Sequence, residues 1–171
     1  MMIEIKPSEI AENPIKLIAK DWMLVTAGDA SNFNTMTASW GTIGEMWGFD
    51  VVETVIRPQR YTKEYIDKAG RFTLSFFPEE MRPLLAAMGK NSGRDIDKMH
   101  YPGLEVVELP SGALTFKGAK LVVEAETVYV DRFAKDAFVD PAIEEKWYDG
   151  DWHYRYIGRI LHVWQDNENT I

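Results

Sequence analysis

Three short segments hold most of the side chains that could do chemistry in this 171-residue chain. Asn34-Thr35-Met36-Thr37-Ala38-Ser39-Trp40-Gly41 places four small polar side chains within six positions. Ile56-Arg57-Pro58-Gln59-Arg60-Tyr61-Thr62 ends a strand and begins a helix. It offers two guanidiniums, a hydroxyl and the free amides of a helix N-terminus, the set a phosphate dianion needs. Gly89-Lys90-Asn91-Ser92-Gly93-Arg94-Asp95-Ile96-Asp97-Lys98 is flexible and rich in cations. Taken singly, the same segments also read as a polar turn, two surface arginines beside a capping threonine, and a solvated loop.

Other familiar chemistry is missing. The sequence has no cysteine, which removes disulfides, thiolate metal sites and a cysteine nucleophile. No G-x-G-x-x-G fingerprint, Walker-type phosphate loop or G-x-S-x-G elbow is present. The histidines are His100, His153 and His162, without an H-E-x-x-H pattern. His153 and His162 would face opposite sides of one regular strand, so no metal site is expected. Glu79/Glu80 and Glu144/Glu145 are adjacent pairs that suit helix ends and surface better than acid and base roles.

The elements that must position these segments are mostly short strands. Candidates are Trp22–Thr26, Thr35–Trp40, Val51–Ile56, Arg71–Phe77, Lys120–Asp131 and Tyr154–Trp164. On Lys120–Asp131, Leu121, Val123, Ala125, Thr127 and Tyr129 share one face, while Glu124 and Glu126 lie on a face that partly meets solvent. On Tyr154–Trp164, strict alternation puts Tyr154, Tyr156, Ile160 and Trp164 on one side. Ile157, Leu161 and Val163 fall on the other, as in a central strand. Thr62 is expected to cap a helix that Gly70 ends. A second helix is expected over about Glu79–Met88, with Pro83 in its first turn and Gly89 at its end. Asp149-Gly150 reads as a hairpin turn between Lys146–Tyr148 and the last strand. Six or more strands with a few short helices predict a closed or nearly closed β-barrel in one domain, residues 1–171, with its core over about 22–164.

Apolar residues make up 46% and charged residues 27%, so the chain can build an ordinary globular core. Against 19 basic residues stand 27 acidic ones, a net charge of −8. That balance argues against nucleic acid or an anionic membrane as partner. No apolar run approaches a bilayer span, and Met1–Lys20 carries three glutamates and lacks the apolar run of a signal peptide. A cytoplasmic location is the expectation.

Taken together and in order, the runs NTMTASWGTIGEMW (34–47), VIRPQRYT (55–62), GRFTLSFFPEEMR (70–82), SGRDIDK (92–98) and DGDWHYRYIGRI (149–160) resemble the flavin reductase-like family. The resemblance is to its flavoredoxin-like branch and covers about Trp22 to Trp164. It implies an FMN-binding split β-barrel, mainly β with a few short helices, that forms a homodimer with FMN held non-covalently near the interface. Asn34, Thr35, Met36 and Thr37 would line the isoalloxazine ring, and Ser39 and Trp40 would continue toward ribityl and phosphate. Arg57, Arg60 and Thr62 would bind phosphate or the pyrimidine edge, a split the sequence leaves open between the arginines. Ser92, Gly93 and Lys98 would close over the phosphate.

His153 would lie on the nicotinamide side as a candidate catalytic residue. The family's Gly-Asp-His element is here interrupted by Trp152, so a hairpin histidine without that role is the alternative. Met88 stands where flavoredoxin-like sequences often have cysteine. Two functions follow. One is an oxidoreductase in which NADH or NADPH passes hydride to flavin N5. The other is an FMN electron carrier that docks on a redox partner protein through its acidic surface. Six tryptophans, among them Trp40, Trp47, Trp152 and Trp164 near the proposed site, suit an interface or a flat ligand.

Overall fold

Alternation of apolar side chains decides most of the architecture, because each strand must serve two cores. The computed structural model describes residues 1–167. In chain order it contains β1 (Met2–Ile5), α1 (Pro14–Lys16), β2 (Met23–Asp29), β3 (Asn32–Ala38), β4 (Gly41–Met46) and β5 (Phe49–Ile56). There follow α2 (Thr62–Ala69), β6 (Arg71–Phe76), α3 (Arg82–Lys90), β7 (Val106–Glu108) and β8 (Leu114–Phe116). The chain closes with β9 (Leu121–Arg132), α4 (Pro141–Trp147) and β10 (Tyr154–Asp166).

One eight-stranded antiparallel sheet runs β3-β2-β6-β9-β10-β5-β4, with β1 on the far end of β10. Its two outermost strands, β3 and β4, are consecutive and joined only by Ser39 and Trp40. So short a bridge forces the sheet to curl until its ends meet, which makes the expected split barrel. Met23, Val25 and Ala27 of β2, Phe72, Leu74 and Phe76 of β6, and Leu121, Val123 and Ala125 of β9 fill the interior. Residues of opposite phase, Leu24 and Val122, join Phe33, Leu85, Met88 and Phe116 in a second core outside the sheet. That outer core is covered by α3 and the β7–β8 hairpin.

Several expectations need correction. Lys146–Tyr148 is not a strand: Asp140 caps a helix there by accepting from the Ala142 amide at 3.0 Å, with Pro141 first in the helix. Asp149-Gly150 therefore joins a helix to β10. Thr62 is the first residue of α2 rather than its cap, and its hydroxyl accepts from Asn34 Nδ2 at 2.7 Å. Gly70 does end α2 in the left-handed conformation. Gly89 lies inside α3, which runs on to Lys90 after a 3-10 turn at Glu79–Met81. Glu124 is buried, because the 109–113 loop folds over it and Ser111 Oγ donates to it at 2.6 Å.

The faces of β10 change over midway. Register shifts against β9 at Ile157/Gly158 and Ile160/His162 move Val163 into the barrel beside Tyr156, while Trp164 turns outward to the second core. Among the described residues, no helix is long and apolar enough to cross a membrane.

Candidate functional site

The polar end of β3 meets the β5–α2 corner and the loop after α3, and two clefts open where they join. The larger, about 590 Å³, is bounded by Met36, Thr37, Ser39, Trp40, Arg57 and His153, with Trp22 and Leu85 on its apolar walls. The smaller, about 190 Å³, is bounded by Asn34, Thr62, Ser92, Gly93 and Lys98. Met36 and Arg60 line both, so the clefts share a wall.

The smaller cleft gathers cationic, amide and hydroxyl donors, with the Asp95 carboxylate also on its lining. Lys98 is only 3% exposed, and its ammonium donates to the carbonyls of Thr35 at 2.7 Å and Met88 at 3.0 Å. Arg60 donates to the Gly89 carbonyl at 2.7 Å and lies against Met36 Sδ at 3.5 Å. Among the described residues neither cation has a carboxylate within 4.0 Å, whereas lysines and arginines elsewhere do, as Lys120 has Asp21 and Arg155 has Asp131. Burial, then the neighbouring Arg60 charge, pushes the Lys98 ammonium down to about 8. Burial likewise lowers Arg60, which remains a cation at any ordinary pH. A buried ammonium beside a half-buried guanidinium, neither with a carboxylate within 4.0 Å, is a standing attraction for an anion. Gly93 is required by close approach: a Cβ there would sit 2.1 Å from Asn34 Oδ1.

The Arg94 guanidinium caps the 92–98 loop onto α2. It lies 4.4 Å over the Tyr61 ring, donates to the Gln59 carbonyl at 3.0 Å and pairs with Glu64. This loop is thus tied down at both ends rather than simply solvated.

Arg57 is differently employed. It donates to Asp151 Oδ2 at 2.5 Å and to the Trp147 carbonyl at 2.9 Å, which fastens the α4–β10 connection over the larger cleft. Hydrogen bonds from Gln59 and then Arg57 hold the Asp151 carboxyl down at about 2. The two arginines are thereby distinguished: Arg60 faces the shared wall with its charge unpaired, whereas Arg57 is neutralised and structural to the strap.

His153 is buried in the wall of the larger cleft, with its ring centroid 5.1 Å from that of Trp40 and its Nδ1 3.0 Å from the Tyr148 hydroxyl. Burial, then the Arg57 charge, lowers it to about 4, so it is neutral near pH 7 and serves as a hydrogen-bonding group, not a cation. Trp147 stands edge-on to Trp40 at 4.9 Å.

Of the residues singled out in sequence, Thr35 turns its side chain inward, where its hydroxyl shares a 2.8 Å hydrogen bond with Thr26. Only its carbonyl reaches the site. Thr37 donates to the Leu85 carbonyl and so ties β3 to α3. Asn34 belongs to the donor-rich cleft, whereas Ser39 and Trp40 belong to the aromatic one. Sequence reasoning missed Trp22, Leu85, Trp147 and Asp151. A carboxylate two residues before His153 was the one available signal for Asp151; the others carried none.

The model of the flavin reductase like domain matches residues 15–171. This chain belongs to that family. A search of curated protein sequences returned no match. Solved structures of similar fold include the FMN-binding protein from Thermus thermophilus with bound p-hydroxybenzaldehyde (TM-score 0.68, 24% identity, 95% of this chain and 78% of that one). Flavoredoxin from Methanosarcina acetivorans is another (0.70, 20%, 88% and 71%). A third is the FMN-binding domain of a flavin reductases-like enzyme from Shewanella baltica OS155 (0.72, 16%, 99% and 80%). At these identities the likeness is one of fold, and the flavin reductase-like split barrel is what this chain shares with them.

Proposed function

We propose that this protein binds FMN across the two joined clefts and works as an NAD(P)H-dependent flavin reductase-type oxidoreductase. The observation that carries this reading is a pair of cations with no carboxylate within 4.0 Å, the buried Lys98 and the half-buried Arg60, beside a larger aromatic cleft. A phosphate of charge about −1.5 to −2 answers the first, and a flat apolar ring answers the second. The residues fit the group. Lys98, Arg60, Ser92, Thr62 and Asn34 would hold the phosphate end, and Met36, Thr37, Ser39 and Trp40 the ring end.

Bound FMN would supply hydride and electron-transfer chemistry. The protein's own part is to bind, orient and shield. Arg57 holds the strap down, Trp40 and Trp147 pack edge-on along the wall, and neutral His153 can donate or accept one hydrogen bond there without adding charge. Hydride transfer needs no side-chain acid or base, which agrees with the scarcity of titratable groups in the larger cleft.

Relatives in fold include a flavoredoxin and a flavin reductases-like enzyme, so the electron carrier is the second reading. Anaerobic addition of NADH and then NADPH to FMN-loaded, desalted protein separates the two. Prompt bleaching of the yellow colour by one nucleotide is expected. Colour that yields to dithionite and to neither nucleotide would replace the enzyme with the carrier.

A homodimer forms part of the proposal. Met46, Trp47, Val128, Tyr129 and Val130 are each at least 38% exposed on the β4–β5 hairpin and β9. Trp47 lies 6.0 Å from Phe49 and 6.3 Å from Tyr129, so the aromatic members are contiguous. Such a patch suits a second copy of the chain. Sedimentation at micromolar concentration should give twice the chain mass, and a monomer there would remove this part.

A further inference from the structure

Among the described residues two that are not glycine have positive φ, Trp22 and Trp47, and Trp22 stands in a wall of the larger cleft. Trp22 has φ 65° and ψ 173°. This region is used almost only by glycine, because a Cβ there crowds the flanking peptide groups. A tryptophan in it persists only when its surroundings leave it no alternative.

Those surroundings are firm on both sides. Before it, a π-helical turn over Leu17–Asp21 buries Leu17 and Ile18, and Lys120 Nζ grips Asp21 at 2.8 Å and Glu12 at 2.9 Å. After it, Met23 and Leu24 are fully buried in β2, paired with Ala38 and Thr37 of β3. The indole itself is held by Arg82, whose Cζ lies 4.1 Å from the ring centroid. That guanidinium also donates to the Lys20 carbonyl and pairs with Glu79 at 3.0 Å. The ring then borders the larger cleft together with Met36, Ala38, Leu85 and Ala86.

We propose that Trp22 is a specificity-determining wall, kept in a glycine-type backbone conformation so that its indole bounds the space offered to a planar aromatic ligand. In ordinary extended backbone the Cβ would leave in a different direction, and the cleft would lose this wall. Strain stored beside a ligand cavity and supported from elsewhere is the pattern expected of a selected feature. The proposal rests on the reading of this cleft as the flavin-ring site.

Three variants of the apoprotein, Trp22→Gly, Trp22→Ala and Trp22→Phe, test it through thermal unfolding and through affinity for FMN and for riboflavin, which lacks the phosphate. Glycine relieves the backbone and alanine does not, so Trp22→Gly should unfold at a higher temperature than Trp22→Ala, the reverse of the usual order. Both should bind FMN and riboflavin about three- to tenfold more weakly than wild type, by the same factor for each ligand, while Trp22→Phe keeps most of the affinity.

Wild-type binding of both flavins with undiminished binding by the glycine and alanine variants would overturn the wall. An alanine variant more stable than the glycine variant would overturn the strain. A wild-type protein that binds neither flavin would overturn the reading of the cleft itself, a result distinct from the other two.

Discussion

Lys98→Met should weaken FMN binding about 30- to several-thousand-fold, the equivalent of about 2–5 kcal/mol for truncating one partner of a buried, hydrogen-bonded charge pair. Lys98 is 3% exposed and has no carboxylate partner, so an incoming phosphate meets a charge already largely stripped of water. Folding should suffer less than binding. The variant leaves the Thr35 and Met88 carbonyls without their donor, but it also removes a desolvated charge, and these effects oppose each other.

The pH dependence has a definite sign. Lys98 titrates at about 8 in the folded apoprotein against an ordinary 10.5, lowered by burial and then by Arg60. FMN affinity should therefore fall as pH rises through about 8 and the cation is lost. Stability of the apoprotein should move oppositely. Between about 8 and 10.5 the unfolded chain binds the proton that the folded one has released, so this group's contribution to stability rises with pH across that window. Fluorescence titration with FMN from pH 6.5 to 9.5 checks the first trend, and urea unfolding over the same range the second. Both should flatten in Lys98→Met.

Gly158→Ala should lower the unfolding temperature by roughly 3–10 °C, through about 1–3 kcal/mol of overpacking. A Cβ at this position would lie 2.7 Å from Ala125 Cβ and 2.8 Å from Phe72 Cζ, both inside the barrel. Gly158 stands at a register shift of β10, and its missing side chain admits the Phe72 ring under the strand. Phe72→Leu in the same chain should return part of the loss, since one of the two clashes is with the end of that ring and the other, with Ala125 Cβ, stays. Additive losses in the double variant, measured by calorimetry, would contradict this account of the contact.

Much of the fold was readable because its signals are local. The run Arg71–Phe77 became β6 to within one residue, Val51–Ile56 became all of β5 but its first two residues, and Gly70 ended α2 as a left-handed residue should. What failed depended on contacts distant in sequence. Thr62 looks like a cap until Asn34, 28 residues away, engages its hydroxyl. Glu124 looks solvated until the 109–113 loop covers it. The two faces of β10 follow simple alternation only as far as its register shifts, which no composition announces. Trp47-Gly48 forms the two-residue β4–β5 turn with both residues at positive φ, a place where tryptophan is a poor sequence signal.

The site behaved in the same way. Asn34, Arg60, Thr62, Ser92, Gly93 and Lys98 meet at one cleft, drawn from three separated segments. Arg57 and Arg60 are indistinguishable in sequence, since only the fold brings Asp151 to one and leaves the other unpaired. The inward turn of Thr35 and the strained backbone of Trp22 also required the three-dimensional neighbours.

The most direct test of the joined-cleft account is equilibrium titration of the apoprotein with FMN and, separately, with riboflavin at pH 7 and at pH 9.5. One FMN per chain is predicted, bound at least about thirtyfold more tightly than riboflavin at pH 7, with the preference shrinking at pH 9.5 as Lys98 loses its proton. Equal affinity for the two flavins at pH 7, or no binding of FMN, would contradict it.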